Sequence, residues 1–263
     1  MSRVALAEAV EQGLENPFTT EYLEKEIQFY NPVPYAKDGL VLKLKSIKHP
    51  VRIDEYLNKQ MVCEGPAIPI LTFDGTIWMS LTWLEVESHW VPFQTFGGDI
   101  LVGGLGMGYA ALRFAAMEHV DSVTVYETDK RVIDFFQATQ GDRPEQAKIR
   151  VIHEDIHKAQ GRYEFAFIDI YPTLLPDELL RDARFFCESR PGLSIMETPH
   201  FWGQELAWLT LMQRRVYKPF SLSYVERMFF EYWWKTDKPD LAREIEDVRF
   251  CSSLAKVMSR VED

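Results

Sequence analysis

Apolar residues in this chain fall into short runs separated by polar and glycine-rich breaks. The clearest sequence of runs lies between Asp99 and Phe136. Ile100-Leu101-Val102 is apolar throughout, as a strand covered on both faces must be. Four glycines follow, then a segment of helical character from Tyr109 to Glu118, then a second apolar run, Val123 to Tyr126, closed by Glu127. This order of strand, turn, helix and strand is a βαβ unit. Downstream, Asp129 is placed to cap a helix through Gln140, with Val132, Ile133 and Phe136 on one face. Third, fourth and fifth strands are expected at Ile149–Ile152, Phe165–Ile170 and Leu193–Met196, and the last two at Tyr217–Val225 and Val248–Val257. Helices are expected at Pro176–Glu188 and Trp202–Met212.

Upstream of the βαβ unit the pattern changes. Ala5–Leu14 and Thr20–Tyr30 have helical character, and Pro32 and Pro34 break the chain after them. Leu40–Ile47 alternates as a half-exposed strand does. Ile68–Phe73 and Thr76–Leu81 flank Asp74-Gly75, a pair that tolerates the positive φ of a tight hairpin turn. Thr82 and Glu85 have the spacing of a capping box, which starts a helix at Trp83 running towards Phe93. The expected organisation is therefore an N-terminal helix and β-hairpin appendage over residues 1–95, followed by an α/β sheet domain over 96–263.

Composition narrows the function classes. Hydrophobic content of 46% with 26% charged residues is ordinary for a soluble globular chain. A net charge of −11 argues against nucleic acid as a partner and leaves a small molecule or a protein as substrate. The three cysteines, Cys63, Cys187 and Cys251, are odd in number and far apart, which supports neither a disulfide framework nor a cysteine metal site. The N-terminal stretch is acidic and lacks the apolar core of a signal peptide, and no 18-residue apolar run is present, so a cytoplasmic protein without a membrane span is expected.

The chemistry is concentrated at the glycine turn. Gly103, Gly104, Gly106 and Gly108 let a ligand approach the backbone, and the following helix turns its unpaired N–H groups towards it. Glu127, about 20 residues on at the end of the second strand, is positioned to accept both hydroxyls of a ribose. The spacing G-G-x-G-x-G fits the dinucleotide pattern G-x-G-x-x-G only loosely.

It resembles instead motif I of the class I S-adenosylmethionine-dependent methyltransferases, nearest to their spermidine synthase-like branch, whose turn reads G-G-G-D-G-G. The resemblance covers about residues 98–198. It implies a Rossmann-like sheet of seven strands with an antiparallel last strand, S-adenosylmethionine as cofactor, and transfer of a methyl group. Gly103, Gly104, Gly106, Gly108 and Glu127 would then be cofactor-binding, as would Asp155, where an acid after the third strand binds the adenine amino group in that family. Asp169 matches the strand-four aspartate, which takes a proton from, or positions, the attacking group. Aminopropyl transfer is the alternative reaction, and a non-catalytic binding module is a third reading. Against aminopropyl transfer, Gly106 stands where the branch has an acid, and Trp78 stands where its D-G-x-x-Q hairpin has glutamine. Glu85, Glu87 and His89 lie near the place of the branch's Tyr-His-Glu cluster but in another order. Glu85 is thus either a helix cap or a site residue. Asp155 and Asp169 likewise admit a capping role.

Two further patterns stand apart. His153-Glu154-Asp155-Ile156-His157 matches H-E-x-x-H formally, but the metal motif needs an α-helix and this stretch continues a strand, so no metal is expected. The aromatic segment Met228–Trp234 reads as core or as a protein interface, with a substrate wall as the alternative.

Overall fold

The computed structural model describes residues 20–46, 51–54, 60–63, 65–171, 181–183, 185–186, 191–197 and 199–203. The expected helix at Ala5–Leu14, the helix beyond Gly203, the last two strands and the aromatic segment lie outside the described residues.

The central element is a five-stranded parallel sheet in the order β13-β11-β7-β8-β9. Its strands are β7 (Gly98–Gly103), β8 (Val120–Glu127), β9 (Ile149–His153), β11 (Phe165–Ile168) and β13 (His200–Phe201). Counted along the sheet by order of appearance, this is 3-2-1-4-5, the Rossmann-like arrangement, and the order reverses between β7 and β11. Alternation sorts the side chains to two cores. Ile100, Val102, Val123, Val125 and Phe167 face one, and Leu101, Tyr126, Ala166 and Ile168 face the other.

The first core is shared with the N-terminal segment. Helix α1 (Thr20–Tyr30) forms where the sequence pattern put it, and buries Tyr22, Leu23, Ile27 and Tyr30. Asn31 with φ +50° ends it ahead of the two prolines. Strands β1 (Tyr35–Lys37), β2 (Leu40–Lys45), β5 (Ile68–Phe73) and β6 (Thr76–Ser80) make an antiparallel sheet in the order β1-β2-β5-β6. A separate pair, β3 (Val51–Asp54) and β4 (Gln60–Cys63), is antiparallel. Asp74 and Gly75, with φ +46° and +82°, form the β5–β6 turn expected of the D-G pair.

Several polar contacts tie this segment to the sheet. Tyr109 donates its hydroxyl to Glu26 at 2.8 Å, and Arg113 pairs with the same carboxylate at 3.0 Å. These join α1 to α3 (Tyr109–Ala115). Arg143 donates to the carbonyls of Phe29 and Tyr30, at 2.7 and 3.1 Å, satisfying the C-terminal end of α1.

Other differences from the expected boundaries have local causes. Helix α3 ends at Ala115 rather than Glu118, because the chain must turn through Met117 to enter β8 at Val120. Helix α2 (Trp83–Thr95) forms, but the Thr82 side chain makes no capping hydrogen bond and Glu85 points inward, so the capping-box reading of Glu85 is corrected. The expected fifth strand forms as β12 (Leu193–Ile195), but it pairs with β10 (Gly161–Tyr163), and β13 is what joins β11 in the main sheet. Donation from Met196 N to Tyr163 O and from Glu197 N to Glu164 O carries one ladder into the next. Residues 181–183 and 185–186 are helical, within the expected Pro176–Glu188 helix. Asp129 caps α4 (Lys130–Gln140) by accepting from Arg131 N at 2.9 Å, as expected. Among the described residues, no helix is long and apolar enough to cross a membrane.

Candidate functional site

Ligands of open α/β sheets lie beyond the carboxyl ends of the strands, where the strand order reverses. Here that point is the gap between Gly103 of β7 and Ile168 of β11, which are paired in register. The carboxyl ends of β7, β8, β9 and β11 bring Gly103–Gly108, Glu127, Asp155 and Asp169 to this one edge.

Backbone approach at the turn is close. Gly104 has φ +85°, and a Cβ there would stand 2.0 Å from the carbonyl oxygen of Asp169. Gly108 has φ +81°, opens α3, and sits against the Phe136 ring, where a Cβ would stand at 2.2 Å. The spacing of the glycines thus answers two packing demands as well as any ligand.

Glu127 lies at the carboxyl end of β8 and accepts two backbone hydrogens. Oε2 takes Leu105 N at 2.9 Å and Oε1 takes Asp129 N at 2.8 Å. One carboxylate thereby holds the glycine turn and the start of α4. A carboxylate has about four lone-pair sites, so ribose hydroxyls can be accepted beside these amides.

The N-terminal segment also reaches the turn. Tyr30 donates its hydroxyl to Met107 O at 3.1 Å, and Met107 N donates to the thioether of Met79 at 2.9 Å. Met79 faces inward from β6, whereas Trp78 is 55% exposed and lies against Phe73. The sequence did not reveal Met79, because β6 does not alternate, with Thr76, Ile77 and Trp78 all exposed, and because its apolar character concealed a polar role.

Asp155 is a cap: its Oδ1 accepts from His157 N at 2.9 Å and lies 2.7 Å from His157 Nδ1. Hydrogen bonding from the His157 amide, reinforced by its imidazole, holds the Asp155 carboxyl below the usual range against a smaller opposing effect of burial. His157 Nε2 lies 3.3 Å from the buried Asp182, and His153 Nε2 meets Thr128 O at 3.0 Å. The two histidines of H-E-x-x-H are therefore committed separately, one on a strand and one on a 3-10 turn.

Asp169 follows β11 directly, and its amide donates to Gly103 O at 2.8 Å. Its carboxyl faces two buried residues of α2, Glu85 and His89. Burial raises the Asp169 pKa to about 7. Burial, with the neighbouring Asp169 charge second, raises Glu85 well above the ordinary carboxylate range. Burial lowers His89 to about 4, opposed by its bond to the Glu85 carbonyl, so the ring is neutral near pH 7. The signal for these partners was present in the sequence. Glu85 and His89 are one helical turn apart, in phase with the buried Val86 and Phe93.

Compared by sequence, no family profile and no curated protein matches the chain. By structure, it is similar to a probable spermidine synthase from Corynebacterium glutamicum, with 14% identity and a TM-score of 0.38, over 59% of this chain and 58% of that one. It is similar to spermidine synthase from Thermotoga maritima, with 15% identity and a TM-score of 0.35, over 62% and 53%. It is similar to a methyltransferase from Streptomyces caelestis, with 17% identity and a TM-score of 0.31, over 40% and 47%. In each case the match takes in about half of the other chain, and the similarity is one of fold.

Proposed function

We propose that the chain is an S-adenosylmethionine-dependent transferase that moves a methyl group to a small-molecule or protein acceptor. The observation that carries this reading is Glu127. It stands at the end of the second strand, beside the glycine turn and hydrogen-bonded to it, where a ribose would meet both its carboxylate and the turn backbone. Gly103, Gly104, Gly106 and Gly108 would pass beneath the cofactor, and the outward edge of Asp155 would meet the adenine amine. Asp169 lies across the sheet reversal, where the transferred group and its acceptor would meet. The protein would contribute alignment, because the sulfonium is already activated for in-line attack.

Aminopropyl transfer is the second reading, favoured by the acidic pair Glu85 and Asp169, which suits a cationic acceptor. It is disfavoured by Gly106 and by the thioether of Met79 on the neighbouring amide, neither of which supplies the acid of that branch.

Calorimetry tests the cofactor. S-adenosylhomocysteine is expected to bind more tightly than NAD, because the G-G-x-G-x-G spacing fits the dinucleotide fingerprint only loosely. Tighter binding of NAD would overturn the assignment. A turnover assay supplying S-adenosylmethionine and its decarboxylated form in parallel then separates the two transfers, and tight binding with turnover of neither would identify a binding module.

A further inference from the structure

The groups facing Asp169 share one chemical property: each can present a lone pair to a cation. His89 Nδ1 lies 2.6 Å from the carbonyl oxygen of Glu85, which can only accept, so Nδ1 carries the ring hydrogen and Nε2 keeps its lone pair. Nε2 is 3.9 Å from Glu85 Oε1. That oxygen belongs to a side chain nine-tenths buried and has no hydrogen-bond partner among the described residues. One carboxylate oxygen of Asp169 completes a set of three atoms lying within 4.8 Å of one another. Among the described residues, neither acid pairs with a lysine or arginine. Two carboxyls and an imidazole converging at one largely buried place are costly when ionised unless a proton or a cation is shared among them, and a bound cation displaces the protons and relieves the cost.

We propose that Glu85, His89 and Asp169 form a binding site for one divalent transition-metal ion of the zinc or manganese kind. One imidazole nitrogen with two carboxylate oxygens suits such ions. The surroundings have the form that supports a metal-bound histidine, in which the second ring nitrogen donates to a fixed acceptor. That acceptor, Glu85 O, also receives Ser88 Oγ–H at 2.9 Å, and Ser88 Oγ receives Trp202 Nε1–H at 2.8 Å. Donors bonded at about 2.1 Å to one ion stand at most about 4.2 Å apart. The Glu85–His89 pair meets this limit, and the widest pair needs to close by no more than about 0.6 Å. Three protein ligands leave a coordination position for water or substrate. The site requires no nucleoside.

The test is a Co²⁺ titration of the whole chain after chelator treatment, followed by visible absorption. One Co²⁺ per chain is expected, without a thiolate charge-transfer band and displaced by Zn²⁺. Glu85→Gln and His89→Ala should each weaken binding by roughly 100-fold or more, since loss of even an outer-shell partner costs 10–100-fold. His153→Ala, in the H-E-x-x-H stretch, should bind as the parent does. A folded parent protein that binds no stoichiometric Co²⁺ overturns the proposal. So does binding that is lost in His153→Ala and kept in Glu85→Gln and His89→Ala. S-adenosylhomocysteine affinity, measured in chelator, reports separately on the transferase reading.

Discussion

Gly104→Ala is expected to lower folding stability by roughly 2–5 kcal/mol and to abolish nucleoside binding. Two effects add. A side chain at φ +85° costs roughly 1–2 kcal/mol in backbone strain. The new methyl would also stand 2.0 Å from Asp169 O, far inside contact distance, and overpacking of this kind costs about 1–3 kcal/mol. Neither strand can yield easily, because Gly104 N is bonded to Tyr126 O and Asp169 N to Gly103 O. Gly75→Ala is the control. Its φ is +82°, but nothing lies within 4 Å of the added carbon, so only the strain of roughly 1–2 kcal/mol applies. Urea midpoints of the two variants check this. A Gly104→Ala protein no less stable than Gly75→Ala would show that the close approach at the sheet reversal is wrong.

Glu127→Ala is expected to act on binding and stability together. Hydrogen bonds to a charged group contribute about 1.5–3 kcal/mol each, so loss of the ribose contact should weaken S-adenosylhomocysteine roughly 10- to 100-fold. The alanine protein should also lose about 1–3 kcal/mol of stability, because Leu105 N and Asp129 N are left without their acceptor. A 2′-deoxy cofactor analogue separates the two effects. It should bind the parent more weakly, yet lose little further against Glu127→Ala, since both changes remove one interaction. A folded Glu127→Ala protein with unchanged cofactor affinity would remove the support for a ribose at this place.

The contrast between Glu127 and Glu85 shows what was legible in the sequence. Glu127 could be placed because Val123–Tyr126, the buried second half of β8, ends at the polar residue itself. Its two backbone partners could not be read, since they come from how the turn and α4 fold back on the strand end. Glu85 carried a local pattern, three residues after a threonine at a helix start, that competed with its tertiary role. Burial against Asp169, 84 positions away, decided the matter. Thr20–Tyr30 and the Asp74-Gly75 hairpin were legible because amphipathic period and turn chemistry are local properties. The pairing of β12 with β10, and not with β11, was not, because strand neighbours depend on chain geometry more than on composition. The adenine and catalytic assignments of Asp155 and Asp169 rest on resemblance joined to position at the sheet edge.

The attachment of α1 bears on how the chain is made. Tyr30 reaches Met107, 77 positions later, and Arg143 holds the end of α1 from more than 110 positions away. Contacts of such sequence separation form late, after the entropy of closing a long loop has been overcome. During synthesis α1 therefore leaves the ribosome well before its partners, with Tyr22, Leu23, Ile27 and Tyr30 uncovered. At about 5–20 residues per second, the stretch up to Arg143 takes several seconds or more to follow. Over that interval the helix is a target for chaperones and for misassociation between neighbouring nascent chains.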